Sequence, residues 1–191
     1  MKKMIKAIIN RSINVKKKML KKKQIDCIYN IAIKIVETYR NKKKTIICGN
    51  GGSNADASHF VAEMIVRFEK NRKALPSIAL SENISTITAI GNDIGYDHSF
   101  SRQIEAFAEK GDVLIAMSTS GNSKNIIKAL DCAKKLKMFI IGMTNITGGK
   151  MKNMCDICYC SPSSVTSTTQ ESHMLLIHII ANIVEEYIFF S

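Results

Sequence analysis

The sequence predicts an α/β fold, in which a doubly wound parallel sheet of about five strands is flanked by helices. Two observations support this prediction. Five short apolar runs lack polar alternation, as expected for strands that are covered on both faces. Helical stretches separate these runs, and strands separated by helices form right-handed β-α-β crossovers. The 191 residues suffice for one core and are too few for two comfortable domains.

The elements can be placed in order along the chain. A helix is predicted from Ile25 to Tyr39, because apolar residues recur there at the spacing of one helical stripe. Asn41 and the lysines that follow it end this helix. The apolar run 45–48 stops at a glycine and predicts the first buried strand. The other strands are predicted at 77–80, 113–117, 138–142 and 157–160.

Basic residues are concentrated near the N-terminus. Residues 1–44 hold 15 Lys or Arg against 2 acidic residues, whereas residues 45–191 hold 13 against 14. We interpret 1–24 as a basic N-terminal segment with an extra helix, a solvated face and a loose start, and 25–191 as a single domain. A basic segment can also bind nucleic acid. That alternative is not favoured, because few aromatic residues are interleaved and no nucleic-acid motif is recognised.

Several features predict a cytoplasmic protein without a membrane span. The basic start is not followed by an apolar run with a small-residue cleavage site. The apolar stretch 174–190 is interrupted by His178, Glu185 and Glu186, which predicts a buried or interface helix. The six cysteines lie mostly in apolar runs, as expected for reduced thiols in the cytosol.

A glycine-rich loop follows the first predicted strand and opens a helix. Glycines allow the backbone to approach a ligand closely, and a helix N-terminus offers unpaired N–H groups to an anion. The loop lacks both the Walker sequence and the last glycine of G-x-G-x-x-G, which disfavours nucleotide binding. It reads Gly49-Asn50-Gly51-Gly52-Ser53.

A hydroxyl-rich loop follows the third predicted strand and also leads into a helix. Hydroxyls and N–H groups at a helix start can hold a phosphate without lysine or arginine. One such loop is ordinary turn material, but two that follow parallel strands indicate a ligand site at the carboxyl edge of the sheet. The loop reads Ser118-Thr119-Ser120-Gly121-Asn122-Ser123.

Polar residues interrupt two helices. His59 and Glu63 share one face of the helix that follows the first loop. Gln170 and His178 point to one side of the last helix, and His173 lies off that side. A carboxylate, two imidazoles and an amide could bind a divalent metal such as zinc, or act as acid and base. Satisfied core or interface residues are the alternative.

Together these segments resemble the phosphoheptose (sedoheptulose 7-phosphate) isomerases of the SIS (sugar isomerase) family. The resemblance covers about residues 25–187. Its loops are shared with other SIS proteins, and the combination of Glu63, Gln170 and His178 is the more specific part. The segments that carry the resemblance are 49–53, His59 to Glu63, Gly91-Asn92-Asp93, 118–123, and Gln170 with His178.

The resemblance implies the three-layer SIS fold, a homotetramer with active sites at subunit interfaces, and one zinc ion per subunit. It implies that His59, Glu63, Gln170 and His178 hold the zinc. One departure is Thr168, where the family commonly has arginine. Substrate contacts are implied for Asn50, Gly51, Gly52, Ser53, Glu63, Asn92, Asp93, Ser118, Thr119, Ser120, Ser123 and Gln170.

The implied activity converts sedoheptulose 7-phosphate to D-glycero-D-manno-heptose 7-phosphate, a precursor of lipopolysaccharide or capsule heptose. Such an isomerisation needs a base and an acid, and we expect Glu63 to be the base and His178 the acid. A Glu63 that ligates metal is not simultaneously a free base, so both roles stay open. A non-catalytic SIS protein, which binds sugar phosphates or a replication initiator, would need the phosphate loop but not this pair.

Overall fold

The computed structural model describes residues 1–190 and has the predicted three layers around one parallel sheet. The prediction of a doubly wound sheet of about five strands is confirmed, with small shifts at the strand ends. Because Gly49 still pairs with Met117, the glycine does not stop the first strand. The strands are β1 (Thr45–Gly49), β2 (Ser77–Ala79), β3 (Val113–Met117), β4 (Phe139–Thr144) and β5 (Ile157–Cys160).

The sheet order is β2-β1-β3-β4-β5, and every neighbouring pair is parallel. The carboxyl ends of the strands therefore meet at one edge of the sheet, where the loops lead into helices. Two short 3-10 helices lie at Tyr96–His98 and Lys150–Met154. The α-helices are α1 (Lys2–Met19), α2 (Lys22–Arg40), α3 (Gly52–Ile65), α4 (Ile84–Asp93), α5 (Ser101–Phe107), α6 (Lys124–Lys135) and α7 (Thr166–Phe189).

Both faces of the sheet are buried, which explains why the strands do not alternate in polarity. Successive side chains of a strand point to opposite faces. Ile47 and Ile115 lie in one core with residues of α2, α3 and α7. Ile46 and Leu114 lie in the other core with residues of α5 and α6. The helices α3 and α7 therefore share one layer.

The extra N-terminal helix is present as α1, which begins at Lys2 and whose first turns, residues 2–9, are exposed. Three residues in its second half hold it against the rest of the protein. Val15 and Met19 are buried, and the Ser12 hydroxyl donates to the Glu171 carboxylate in α7. The isoleucine row Ile5, Ile9 and Ile13 is 43–53% exposed. The lysine-rich helix thus also presents an apolar row to solvent.

The last helix, α7, is a core helix despite its apolar composition. Among residues 1–190 it is a helix whose length and hydropathy would suit a membrane span, yet 44% of its most apolar window is buried in the protein. It packs against α2 and α3. Buried polar groups along it, His173 and Glu185, find partners inside the fold. This agrees with the prediction of a buried or interface helix.

His173 makes the folded protein sensitive to acid. The ring is fully buried, and burial lowers its pKa to about 4, although a hydrogen bond with the Thr144 carbonyl opposes the shift. Protonation therefore favours the unfolded chain. The contribution of His173 to the free energy of unfolding is fully present above pH 6.5, the ordinary pKa of histidine. It is lost as the pH falls from there toward about 4.

We expect His173 to reduce the free energy of unfolding by about 2 kcal/mol between pH 7 and pH 5. Urea unfolding of the wild type and of His173→Gln at both pH values measures this contribution, because glutamine retains a donor for Thr144 but does not titrate. On acidification from pH 7 to pH 5, the free energy of unfolding should fall by about 2 kcal/mol less in the variant than in the wild type. Equal losses in the two proteins would contradict the assignment.

Candidate active site

The glycine-rich loop leaves β1 and enters α3, and its backbone is closely packed. A Cβ on Gly49 would lie 2.4 Å from the Ser53 carbonyl oxygen, so only glycine fits there. Gly51 has a φ of 55°, a backbone conformation that favours glycine. No atom lies within 4 Å of the position that a Cβ would take there. A Cβ on Gly52 would lie 2.0 Å from Gln170 Nε2. The side chain of Gln170 therefore rests on the first residue of α3.

Asn50 is held by a reciprocal pair of amide hydrogen bonds with Asn125, the second residue of α6. Each side chain donates its Nδ2 to the Oδ1 of the other, and both distances are 2.9 Å. Asn125 is buried and also donates to the Ser99 hydroxyl at 3.1 Å. The Tyr96 hydroxyl donates to Asn50 Oδ1 at 3.0 Å. The loop after β1 is thereby tied to the helix that follows the loop after β3.

A cavity of about 190 Å³ lies beside the glycine-rich loop. Asn54 Oδ1 and Ser81 Oγ are buried without a hydrogen-bond partner among the described residues. Unpaired polar atoms of this kind are available to a polar ligand. The cavity is lined by Gly49, Asn50, Gly51, Asn54, Ser81, Ile84, Ile87, Tyr96 and Phe100.

The hydroxyls of the second loop converge on one another. Ser118 Oγ lies 3.1 Å from Ser123 Oγ and 3.4 Å from Ser120 Oγ, and it accepts a hydrogen bond from the Gly121 N–H. Ser123 is the residue that precedes α6. Thr119 is half-buried between Ser118 and the exposed Ser120. The loop therefore presents several hydroxyls and N–H groups at a helix start, which suits a phosphate group.

His59, Glu63 and His178 meet within one protomer. His59 Nε2 lies 2.9 Å from His178 Nε2 and 3.2 Å from Glu63 Oε1. The ligand atoms of the three residues all lie within 4.8 Å of one another. The side chains of His59 and Glu63 are 38% and 18% exposed, so the group is open to a ligand. A carboxylate and an imidazole on different helices can thus act on the same small molecule.

The donor set of this group fits zinc. Zinc favours imidazole nitrogen and carboxylate oxygen, at bond lengths of about 2.0–2.2 Å. Two such ligands of one tetrahedral ion are about 3.3 Å apart, close to the separations within the group. The structure therefore has a possible metal-binding site of His59, Glu63 and His178.

Other predicted site residues lie outside these groups. Asn92 and Asp93 are exposed at the C-terminal end of α4, where the Asn92 amide donates to the Asp93 carboxylate at 2.7 Å. Thr168 is buried, and its hydroxyl lies 2.7 Å from the Ser163 hydroxyl. A short polar contact thus replaces the arginine expected there from the resemblance.

Residues that the sequence patterns did not single out also belong to this region. Asn125 follows the second loop and is buried in the first turn of α6. A polar residue at that position was the sequence signal that could have identified it. Burial raises the pKa of Asp56 to about 6, whereas the nearby His59 lowers it, and Asp56 Oδ2 has no partner among residues 1–190. The Phe68 ring stacks on His178, with ring centroids 5.6 Å apart. No sequence pattern predicts that stacking.

Known proteins are similar to this chain in sequence. A family model described as the SIS domain matches residues 10–145. The phosphoheptose isomerase of Aneurinibacillus thermoaerophilus is 48% identical over 186 residues, which cover 97% of this chain and 94% of the relative. Phosphoheptose isomerase 2 of Campylobacter jejuni is 47% identical over 179 residues, which cover 93% of this chain and 89% of the relative. The chain belongs to the phosphoheptose isomerase family of SIS-domain proteins.

Solved structures of this phosphoheptose isomerase family have the same fold. The enzyme of Neisseria gonorrhoeae matches with a TM-score of 0.90 and 37% identity over 97% of this chain and 98% of that chain. The enzyme of Francisella tularensis matches with a TM-score of 0.93 and 34% identity over 96% of this chain and 97% of that chain. The resemblance and the SIS fold that were predicted from the sequence are thus confirmed.

Proposed function

We propose that this chain is a phosphoheptose isomerase, which converts sedoheptulose 7-phosphate to D-glycero-D-manno-heptose 7-phosphate in bacterial heptose biosynthesis. The observation that carries the proposal is the meeting of Glu63 with His59 and His178 in a chain that is 48% identical to a phosphoheptose isomerase over nearly its whole length. The product would serve as a precursor of lipopolysaccharide or capsule heptose.

Glu63 is the proposed base and His178 the proposed acid. The base removes a proton from C1, next to the carbonyl at C2, and an enediol forms. A proton moves between the oxygens on C1 and C2, and C2 then takes up a proton to give the aldose. The two helices that carry these groups share one core layer. This shared packing supports the proposed roles, because it brings ligand atoms of the carboxylate and the imidazole within 4.8 Å of each other.

The two loops are the proposed substrate-binding elements. The hydroxyl loop would hold the phosphate on C7, and its binding energy would orient C1 and C2 against Glu63. Asn50, with its fixed amide orientation, and Gln170, which rests on Gly52, would bind the sugar hydroxyls. The other proposed substrate contacts are Gly51, Gly52, Ser53, Asn92, Asp93, Ser118, Thr119, Ser120 and Ser123.

We also propose that His59, Glu63, Gln170 and His178 hold one zinc ion per subunit. When bound, the ion would supply a Lewis acid that polarises the substrate carbonyl. Glu63 is proposed both as a metal ligand and as the base, and one of its carboxylate oxygens lies 3.2 Å from His59 Nε2. The two proposed roles therefore compete for the same carboxylate. Measurement of metal content beside turnover separates the two roles.

Removal of metal is expected to lower turnover at least tenfold. Zinc should restore it and magnesium should not, because two imidazole ligands suit zinc better than magnesium. Atomic absorption should find one zinc per wild-type subunit and a strongly reduced content in His59→Ala. Full turnover in a protein free of metal would contradict the proposed role of zinc.

The proposed assembly is a homotetramer in the cytoplasm, with active sites at subunit interfaces. The exposed isoleucine row on α1 supports association, because contact with another copy would remove it from water. Residues 1–24 are the proposed basic segment and 25–191 the proposed single domain. Light scattering of the full chain measures the assembly, and a monomer at micromolar concentration would contradict it.

Isomerisation in heavy water tests the proposed function directly. Purified protein is incubated with sedoheptulose 7-phosphate in D₂O, and the aldose product is analysed by NMR. A base-mediated enediol exchanges its proton with solvent, so we expect deuterium at C2 of the product. Tight binding of the sugar phosphate without turnover would instead favour the non-catalytic SIS alternative.

A further inference from the structure

A buried ion pair joins the segment after α3 to the last helix. Arg72 Nε donates to Glu185 Oε1 at 3.1 Å, and the two side chains are only 1% and 2% exposed. Arg72 lies in the connection between α3 and β2, and Glu185 lies near the C-terminal end of α7. A buried pair of this kind is weak evidence for stability, because desolvation opposes the attraction. Its contacts indicate another role.

Arg72 holds the end of α3 that carries Glu63. Its Nη2 donates to the Glu63 carbonyl at 2.5 Å, and its Nη1 donates to the Met64 carbonyl at 2.7 Å. The last carbonyls of a helix lack partners within the helix, and a cation is favourable there. One guanidinium thus fixes the backbone of Glu63 to a carboxylate on α7.

Glu185 holds the segment that covers His178. Its two oxygens accept hydrogen bonds from the backbone N–H groups of Phe68, Glu69 and Lys70, at 2.7–3.1 Å. Phe68 is thereby fixed where its ring stacks on the His178 imidazole, with an interplanar angle of 29°. The Glu185 carboxylate is therefore linked to Glu63 through Arg72 and to His178 through Phe68.

We propose that Arg72 and Glu185 are positioning residues that hold Glu63 and His178 in register for proton transfer. This inference rests on the proposed function. The proposed phosphate loop, 118–123, lies between β3 and α6, and none of the contacts just described reaches it. Loss of the pair should therefore lower kcat while KM for the sugar phosphate stays nearly constant. A purely structural role would not separate the two constants in this way.

The test compares Glu185→Gln with Glu186→Gln in the full chain. Glutamine preserves the volume of Glu185 and one acceptor oxygen but removes the charge. Glu186 is a matched control because it is next in sequence and also pairs with the segment after α3, through Lys70, but its side chain is 44% exposed. We expect Glu185→Gln to lower kcat about tenfold or more, with KM within about twofold of wild type. Glu186→Gln should match wild type in both constants.

Arg72→Lys provides a second variant in case Glu185→Gln does not fold. A lysine keeps the charge, but its single ammonium cannot reproduce the planar fork that reaches Glu185 and both carbonyls. Urea unfolding first establishes that each variant is folded. A folded Glu185→Gln or Arg72→Lys with wild-type kcat would overturn the inference. A wild type without turnover in the same assay would instead overturn the proposed function, so the two failures are distinguishable.

Discussion

Replacement of Glu63 by glutamine is expected to lower turnover by roughly 10²- to 10⁴-fold, the usual contribution of a positioned acid or base. Glutamine has nearly the shape of glutamate and retains an oxygen, but it cannot accept the C1 proton. Binding of the sugar phosphate should persist, because the phosphate loop is unchanged. Steady-state kinetics and calorimetric titration with sedoheptulose 7-phosphate measure the two effects separately.

The control for this variant is Glu37→Gln, on the exposed side of α2, where Glu37 pairs only weakly with Lys34 at 3.7 Å. It should have wild-type turnover. The zinc content of Glu63→Gln is measured as well, since a variant that keeps its zinc but loses turnover identifies proton transfer as the lost step. Near-normal turnover in Glu63→Gln would refute the assignment of Glu63 as the base.

Replacement of Gly121 by alanine is expected to raise KM for the sugar phosphate tenfold or more. Gly121 has a φ of 66°, which costs an L-residue about 1–2 kcal/mol. The added Cβ would also lie 2.3 Å from the Gly148 carbonyl oxygen, so the backbone must move. The Gly121 N–H, which donates to Ser118 Oγ, would move with it and disturb the proposed phosphate site. Initial-rate kinetics over a range of substrate concentrations measures the change.

Gly111→Ala separates backbone strain from damage to the loop. Gly111 also has a positive φ, of 92°, but the nearest atom to its added Cβ is in the flexible Lys43 side chain at 3.5 Å. This variant should lose stability while its KM stays at the wild-type value. If a folded Gly121→Ala also had the wild-type KM, the second loop would not be the phosphate site.

The strands were predictable because burial on both faces leaves a direct trace in sequence. Residues 113–117 are apolar throughout, and each of them is buried in β3. The placement of the N-terminal helix was less predictable. The lysines of α1 indicated a solvated helix face, but they do not predict the burial of Val15 and Met19 or the contact of Ser12 with Glu171. Contacts between residues so far apart in sequence leave no local pattern.

The candidate site was predictable in part. Helical spacing alone put His59 beside Glu63, and the loops after β1 and β3 were recognisable by composition. The approach of His178 to His59 depends on how α7 packs on α3, which no spacing predicts. Asn125 was missed because its partner Asn50 lies 75 residues away. Arg72 was missed because arginine in a connecting segment is ordinarily a solvated residue.

The exposed isoleucine row of α1 bears on how the stability of the folded protein depends on its concentration. Apolar side chains in water carry a free-energy cost, and association with further copies relieves it only when enough copies are present. If copies of the chain associate through this row, as proposed above, mass action stabilises the folded form at high protein concentration and no longer does so on dilution. The melting temperature should accordingly rise with protein concentration, although no covalent feature of the chain changes.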